Sequence, residues 1–141
     1  MLSKKTKYGL KALIYIAKQY KSEPEPMPIP ISDISDNEKL PRKFLETILL
    51  DLKKGGILSS KKGKGGGYYL MKDPKTITMD ILMRVLDGPI AMLPCVSLNF
   101  YEHCDDCPDE EVCTLNHFMV EVRDNTLKLL QEKTLHDLTL M

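Results

Sequence analysis

Apolar positions recur along this chain with helical spacing in several places, separated by residues that break helices. Leu10, Leu13, Ile14 and Ala17 stand at i, i+3, i+4 and i+7 and predict an amphipathic helix over about 3–20. Pro24, Pro26, Pro28 and Pro30 then alternate through a stretch that no helix can cross, which predicts an extended connector. Ser32 or Asp33 is suited to cap a short helix before Ile34, and Pro41 to open the next helix at its first position. In that next helix Phe44, Leu45, Ile48, Leu49 and Leu52 form the face expected to be buried, and Gly55-Gly56 stops it. Helix, short helix, turn, then an amphipathic helix with polar residues at its start is the order of a helix-turn-helix.

Two short strands follow, over 57–60 and 68–70, joined by Lys61-Lys62-Gly63-Lys64-Gly65-Gly66-Gly67, whose glycines permit a tight hairpin tip. A basic hairpin directly after a helix-turn-helix is a wing. Ile77, Ile81, Leu82 and Val85 predict a fourth helix ending near Asp87-Gly88. Residues 88–113 hold Pro89, Pro94 and Pro108 and read as a loop, and a last helix is expected over about 114–132. Its apolar residues, among them Leu115, Phe118, Met119, Val122, Leu127, Leu129 and Leu130, cover more than one narrow stripe. A helix apolar on two faces must bury both, so dimerisation through this helix is expected, the alternative being a helix wrapped in its own core. The expected fold is mainly α with a small β-hairpin wing: a winged helix-turn-helix plus a long C-terminal dimerisation helix. Its parts are a DNA-binding domain over 1–87, a cysteine-rich sensor loop over 88–113, and a dimerisation helix and tail over 114–141.

The formal net charge of zero conceals an asymmetry. Residues 1–72 carry 15 Lys+Arg against 7 Asp+Glu, and residues 73–141 carry 5 against 13. A basic half is what binding to a polyanion requires, since phosphate contacts supply most non-specific affinity for DNA. On the helix expected to enter the major groove, Arg42, Lys43, Glu46 and Thr47 are the candidates for reading base edges and phosphates. In the wing, Lys61, Lys62, Lys64, Gly65 and Gly66 are the candidates for the backbone or a narrow minor groove. A phosphate-binding loop is excluded, because Gly63-Lys64 is followed by Gly65 rather than Ser or Thr, and by a strand rather than a helix. No Ser/His/Asp or paired-carboxylate grouping suggests catalysis, so no enzyme is expected. The 43% of apolar residues includes no run of about 18 that would span a membrane. The chain shows no secretory signal either, and a cytoplasmic location is expected. There cysteines serve as thiols or metal ligands rather than as structural disulfides.

All four cysteines fall in the loop, as Cys95, Cys104, Cys107 and Cys113 with the spacing C-x8-C-x2-C-x5-C. Thiolates suit soft metals, so an iron–sulfur cluster is the expected occupant, with zinc as the alternative and unligated or redox-active thiols as a third reading. The spacing matches neither the standard zinc-finger pattern nor the ferredoxin runs. Asp105, Asp106, Asp109, Glu110 and Glu111 surround the cysteines and argue weakly against an electron-rich centre. His103, beside Cys104, and His117, one helical turn past Cys113, are possible further ligands, and His136 is expected to be exposed.

Several stretches together resemble the Rrf-two family of bacterial winged-helix regulators over nearly the whole length. They are Tyr8-Gly9-Leu10-Lys11-Ala12-Leu13, Ile31-Ser32-Asp33-Ile34-Ser35, Phe44-Leu45-Glu46, Leu52-Lys53-Lys54-Gly55-Gly56-Ile57-Leu58 and, most specific, Gly65-Gly66-Gly67-Tyr68-Tyr69-Leu70. The resemblance implies a homodimer crossed through the long C-terminal helix on a palindromic double-stranded DNA operator, with a cluster on loop cysteines just before that helix. It also admits control by a protein partner docking on the acidic loop. Cluster-binding members commonly use three cysteines spaced C-x5-C-x5-C, and only Cys107 and Cys113 fit that spacing here. The first cysteine of the pattern falls on Tyr101, and the histidine ligand of some members aligns with Asn116, one residue before His117. The carboxylate that nitric-oxide-sensing members take from the first helix has no counterpart in Lys5-Thr6-Lys7-Tyr8. An all-cysteine site is therefore the expected replacement. The family's wing arginine corresponds to Lys62, which loses bidentate geometry.

Overall fold

The structure, a computed structural model, describes residues 2–22 and 25–141; Pro24 of the proline connector lies outside the described residues. Among these residues the chain forms α1 (Lys4–Lys18), α2 (Ile31–Glu38), α3 (Arg42–Lys54), β1 (Leu58–Lys61), β2 (Gly67–Leu70), α4 (Met79–Leu86), α5 (Thr114–Glu132) and α6 (Leu135–Thr139). Mostly helical, with one antiparallel hairpin, this is the expected fold class.

Ser3 caps α1, its Oγ accepting the Thr6 N–H at 3.1 Å. Leu13 and Ala17 reach the core from the expected stripe, but Leu10 and Ile14 are only half-buried, and Ala12 and Ile16 complete the inward face instead. The face is rotated because α1 is packed from two sides, by α3 and α4 and by α6.

Ser32 and Asp33 do not cap α2. Pro30, at φ −60°, stands at that position, and its carbonyl takes the Asp33 N–H at 3.1 Å. Pro41 likewise precedes α3 rather than opening it, its carbonyl accepting from Leu45 N at 2.9 Å. Both prolines are extended just outside their helices, where a fixed φ and a missing N–H do no harm. The turn between α2 and α3 closes at Lys39, which takes the left-handed conformation at φ 54°. Ser35 Oγ holds that turn by donating to the Leu40 carbonyl at 2.8 Å.

Leu45, Ile48, Leu49 and Leu52 of α3 are buried as expected, but Phe44 is exposed. It stands on the flank of the helix and packs edge-on against the Tyr8 ring, with centroids 5.6 Å apart. In α4 the inward residues are Met79, Leu82 and Leu86, while Ile81 is exposed and the buried Ile77 precedes the helix.

The hairpin pairs Leu58 with Leu70 and Lys61 with Gly67, and Gly63 and Gly65 turn it at positive φ. Ile29 of the connector joins β2 through two backbone bonds with Tyr68, at 2.8 and 2.9 Å. This approach requires glycine at 67, where a Cβ would lie 2.2 Å from the Ile29 carbonyl oxygen.

A single buried apolar cluster joins α1–α4, the hairpin and Leu135 of α6. Residues after 132, expected to form a tail, contain α6. Thr134 and Asp137 close a capping box there: Thr134 N–H donates to Asp137 Oδ2 at 2.9 Å and Asp137 N–H to Thr134 Oγ1 at 3.2 Å. The Thr134 backbone N–H first, and the Thr134 side chain second, hold the Asp137 carboxyl below the usual carboxylate range. By contrast, no residue of α5 is buried in the chain, and Leu115, Phe118 and Leu129 are all more than half exposed.

Candidate functional site

Two surfaces carry the candidate residues. On α3, Arg42, Lys43, Glu46 and Thr47 are all exposed on the side opposite the buried leucines. Arg42 Nε lies 3.9 Å from Glu46 Oε1, and Thr47 Oγ1 donates to the Lys43 carbonyl at 3.4 Å. The helix is held from behind by a Lys5–Asp51 ion pair at 2.7 Å and by the Tyr8–Phe44 contact, neither foreseen from the sequence. In the wing, Lys61, Lys62, Lys64 and Gly65 are exposed at the tip. Gly66 is half-buried because its N–H closes the turn on the Gly63 carbonyl at 3.0 Å. Lys53 Nζ ties the end of α3 to the wing through Ser60 Oγ at 2.6 Å.

The second surface is a cleft of about 520 Å³ at the start of α5, lined by Cys95, Cys104, Cys107 and Cys113. Each cysteine has its own support. Cys95 sits in the 3-10 turn Pro94–Val96, anchored by the buried Val96 and Ser97. Cys104 and Cys107 share a turn in which Cys107 N–H donates to the Cys104 carbonyl at 3.3 Å. Cys113 is the N-cap of α5, its sulfur accepting the Asn116 N–H at 3.4 Å.

Glu110 is the polar centre of the loop. Its carboxylate accepts from the Cys104 N–H at 3.1 Å and from the Tyr101 hydroxyl at 3.0 and 3.1 Å, and it meets His103 Nδ1 at 3.1 Å. The Cys104 N–H, followed by Tyr101 and His103, holds Glu110 below the usual carboxylate range. The same carboxylate raises the Tyr101 hydroxyl. Burial pushes the Cys107 thiol up; the Asp109 backbone pulls against it, and the neighbouring Cys113 and Cys104 sulfurs push the same way as burial. The other loop carboxylates, on Asp105, Asp106, Asp109 and Glu111, are exposed.

All four sequence-predicted cysteines thus reach one cleft, with His103 at its edge. His117 is exposed and does not line the cleft, and His136 is half-buried rather than exposed because it sits in the groove between α6 and α1. Four sulfur donors around one opening fit a soft metal or cluster by donor chemistry. Among the described residues no three His, Cys, Asp or Glu side chains are close enough together to hold a single ion. Sequence reasoning missed Glu110 as the organiser of the loop. It also missed Arg123, whose Nη1 donates to the Val96 carbonyl at 2.8 Å and ties α5 to the Cys95 turn. Arg123 leaves no local signal because it acts across the fold, and Glu110 leaves none because its partners lie in its own irregular loop, which has no periodicity. The capping box of α6 does leave one, in Thr134-x-x-Asp137.

A helix-turn-helix whose second helix exposes a polar face, followed by a basic wing, is the arrangement of a winged-helix DNA-binding transcription regulator. The family model described as "Rrf2: Iron-dependent Transcriptional regulator" matches residues 2–140, and the chain belongs to this family, whose members are regulators and not enzymes. It is 41% identical over 138 residues to an rrf2-like HTH-type transcriptional regulator of Rhodobacter capsulatus, covering 98% of this chain and 91% of that one. Identity to IscR of Escherichia coli is 29% over 106 residues, 75% of this chain and 63% of that one. The solved structure of CymR, the global cysteine regulator of B. subtilis, superposes with a TM-score of 0.77 at 28% identity, covering 99% of this chain and 95% of that one. T. potens IscR shares the fold, with a TM-score of 0.74 at 23% identity, covering 98% of this chain and 85% of that one. Among the described residues no helix is long and apolar enough to cross a membrane.

Proposed function

We propose that this regulator is a cytoplasmic homodimer that reads a palindromic DNA operator and carries an iron–sulfur cluster on Cys95, Cys104, Cys107 and Cys113 as its sensor. The observation that carries the sensor reading is the convergence of four thiols, from three separately supported stretches of loop, on one cleft at the start of α5. Bound there, the cluster would supply a centre whose oxidation, nitrosylation or loss reports redox state, nitric oxide or iron–sulfur supply.

The chain's own residues supply the rest. Arg42, Lys43, Glu46 and Thr47 meet base edges in the major groove, while Lys61, Lys62, Lys64, Gly65 and Gly66 follow the flanking backbone. The exposed Leu115, Phe118 and Leu129 of α5 are covered by the second copy. Cys113 caps that same helix and Arg123 grips the Cys95 turn, so a displaced loop moves α5, and with it the spacing of the two heads on the operator half-sites.

The deciding measurement is an anaerobic visible absorption spectrum of the purified protein, with iron, sulfide and zinc assayed on the same sample. Brown protein with iron and sulfide, and a Cys107→Ala variant that folds and binds DNA but no longer responds, is the expected result. Colourless protein with stoichiometric zinc makes the cleft structural. Colourless protein that cannot be reconstituted moves the function to thiol chemistry or a protein partner.

A further inference from the structure

The cysteine cleft is built as two pairs. Cys104 and Cys107 share one turn, fastened by the Cys107 N–H to the Cys104 carbonyl at 3.3 Å and by the Glu110 carboxylate on the Cys104 N–H at 3.1 Å. Cys95 and Cys113 are the far ends of the cysteine segment, and no backbone turn joins them. One residue touches both. Asn116, in the first turn of α5, aims its backbone N–H at Cys113 Sγ at 3.4 Å and its side-chain Nδ2 at Cys95 Sγ at 3.5 Å.

We infer that Asn116 is the positioning residue of the cleft, holding Cys95 beside Cys113 as a second pair of sulfur donors through two N–H···S contacts. The inference rests on the four-cysteine reading of the site. The backbone contact belongs to any residue at 116 that caps in the same way, whereas the Cys95 contact belongs to the amide alone. Donors aimed at sulfur favour electron-rich sulfur, so the amide both orients Cys95 and stabilises the more negative state of whatever the sulfurs bind. A hydrocarbon of the same size keeps the packing and loses both effects.

The test is an anaerobic titration of the metal-free full-length protein with cobalt(II), read by its thiolate-to-cobalt charge-transfer band. Asn116→Leu is expected to weaken binding about 10–100-fold, the usual consequence of losing a partner behind a metal ligand. Asn116→Gln, which keeps an amide donor, is expected to recover most of that loss. Thermal melting of the metal-free variants checks the fold, and Asn116→Ala, which has neither a donor nor a group that can ligate, replaces Asn116→Leu if the latter does not fold. In protein that carries a cluster, losing the donor lowers the potential by the equivalent of about tenfold in a one-electron equilibrium, about 59 mV. Wild-type affinity in the donorless variant, a Gln variant as weak as Leu, or an unchanged potential each overturns the inference. Wild-type protein without iron and sulfide, yet with cobalt binding that depends on Asn116, overturns the cluster reading and leaves this inference standing.

Discussion

The head of the molecule and its cysteine-bearing arm are held together by different forces. In the head, α1–α4, the hairpin and α6 close on one apolar cluster in which Leu13, Ile34, Ile48, Leu49, Leu52 and Leu82 are wholly buried. In the arm, residues 88–132, only Val96 and Ser97 are buried, and the shape rests on hydrogen bonds that Glu110 accepts and that Asn116 and Arg123 donate. Apolar burial sums over many close-packed contacts, so opening the head exposes many of them at once. A segment held by a few polar contacts opens at much lower free energy, and its conformation can follow a ligand or a second chain. The structure therefore separates a head with a packed core from an arm with almost none, and α5 leaves Leu115, Phe118 and Leu129 exposed.

The contrast can be broken at the head first. Leu52→Ala empties a fully buried site and is expected to lower stability by about 2–5 kcal/mol, measured by urea unfolding. A loss well under about 1 kcal/mol would mean that the cluster is looser than its burial implies. Leu129→Asp, on the exposed face of α5, should leave the head's unfolding midpoint in place while weakening self-association by about 2 kcal/mol or more. Sedimentation at several concentrations reads this, and a variant that stays as tightly dimeric as wild type rules out α5 as the interface.

Within the head, Arg42→Ala should reduce operator affinity by about 1–3 kcal/mol and relax base preference, whereas Lys62→Ala should only lower the salt slope of binding by about 1. Equal loss on operator and random DNA for Arg42→Ala would reduce that residue to a phosphate contact.

The smallest effect lies at the seam between the two regions, in the capping box of α6. The Asp137 carboxyl is held below its unfolded value, so its stabilisation is complete above about pH 3.9 and is lost as the pH falls through the lower folded value. The stability difference between wild type and Asp137→Asn should therefore shrink over that acid range. A difference that stays constant with pH would assign the cap to shape rather than to charge.

Much of the head was legible in the sequence because its signals are local. The α3 pattern, the proline that precedes it, the Gly55-Gly56 stop and the glycines of the wing each act within a few residues. Errors arose where neighbours decide. Phe44 and Ile81 lie one helical step off the buried stripe, and only the packing of Tyr8 and of the other helices shows that they face outward. The helix α6 was missed because five residues make a weak periodic signal, and Leu135 is buried only because α1 lies beneath it.

What the sequence determined by itself was the order of α1 to α5 with the hairpin, the polar start of α3, the basic hairpin tip, the charge split and the sulfur inventory of the loop, since all of these are properties of short stretches of chain. The tertiary structure alone decided that Cys95, Cys104, Cys107 and Cys113 share one cleft, that Asn116 reaches two of them, and that no residue of α5 is fully buried. Those facts depend on where a loop without periodicity returns to the fold. That return is set by contacts between residues far apart in the chain, such as Arg123 on the Val96 carbonyl, which no spacing rule along the sequence encodes.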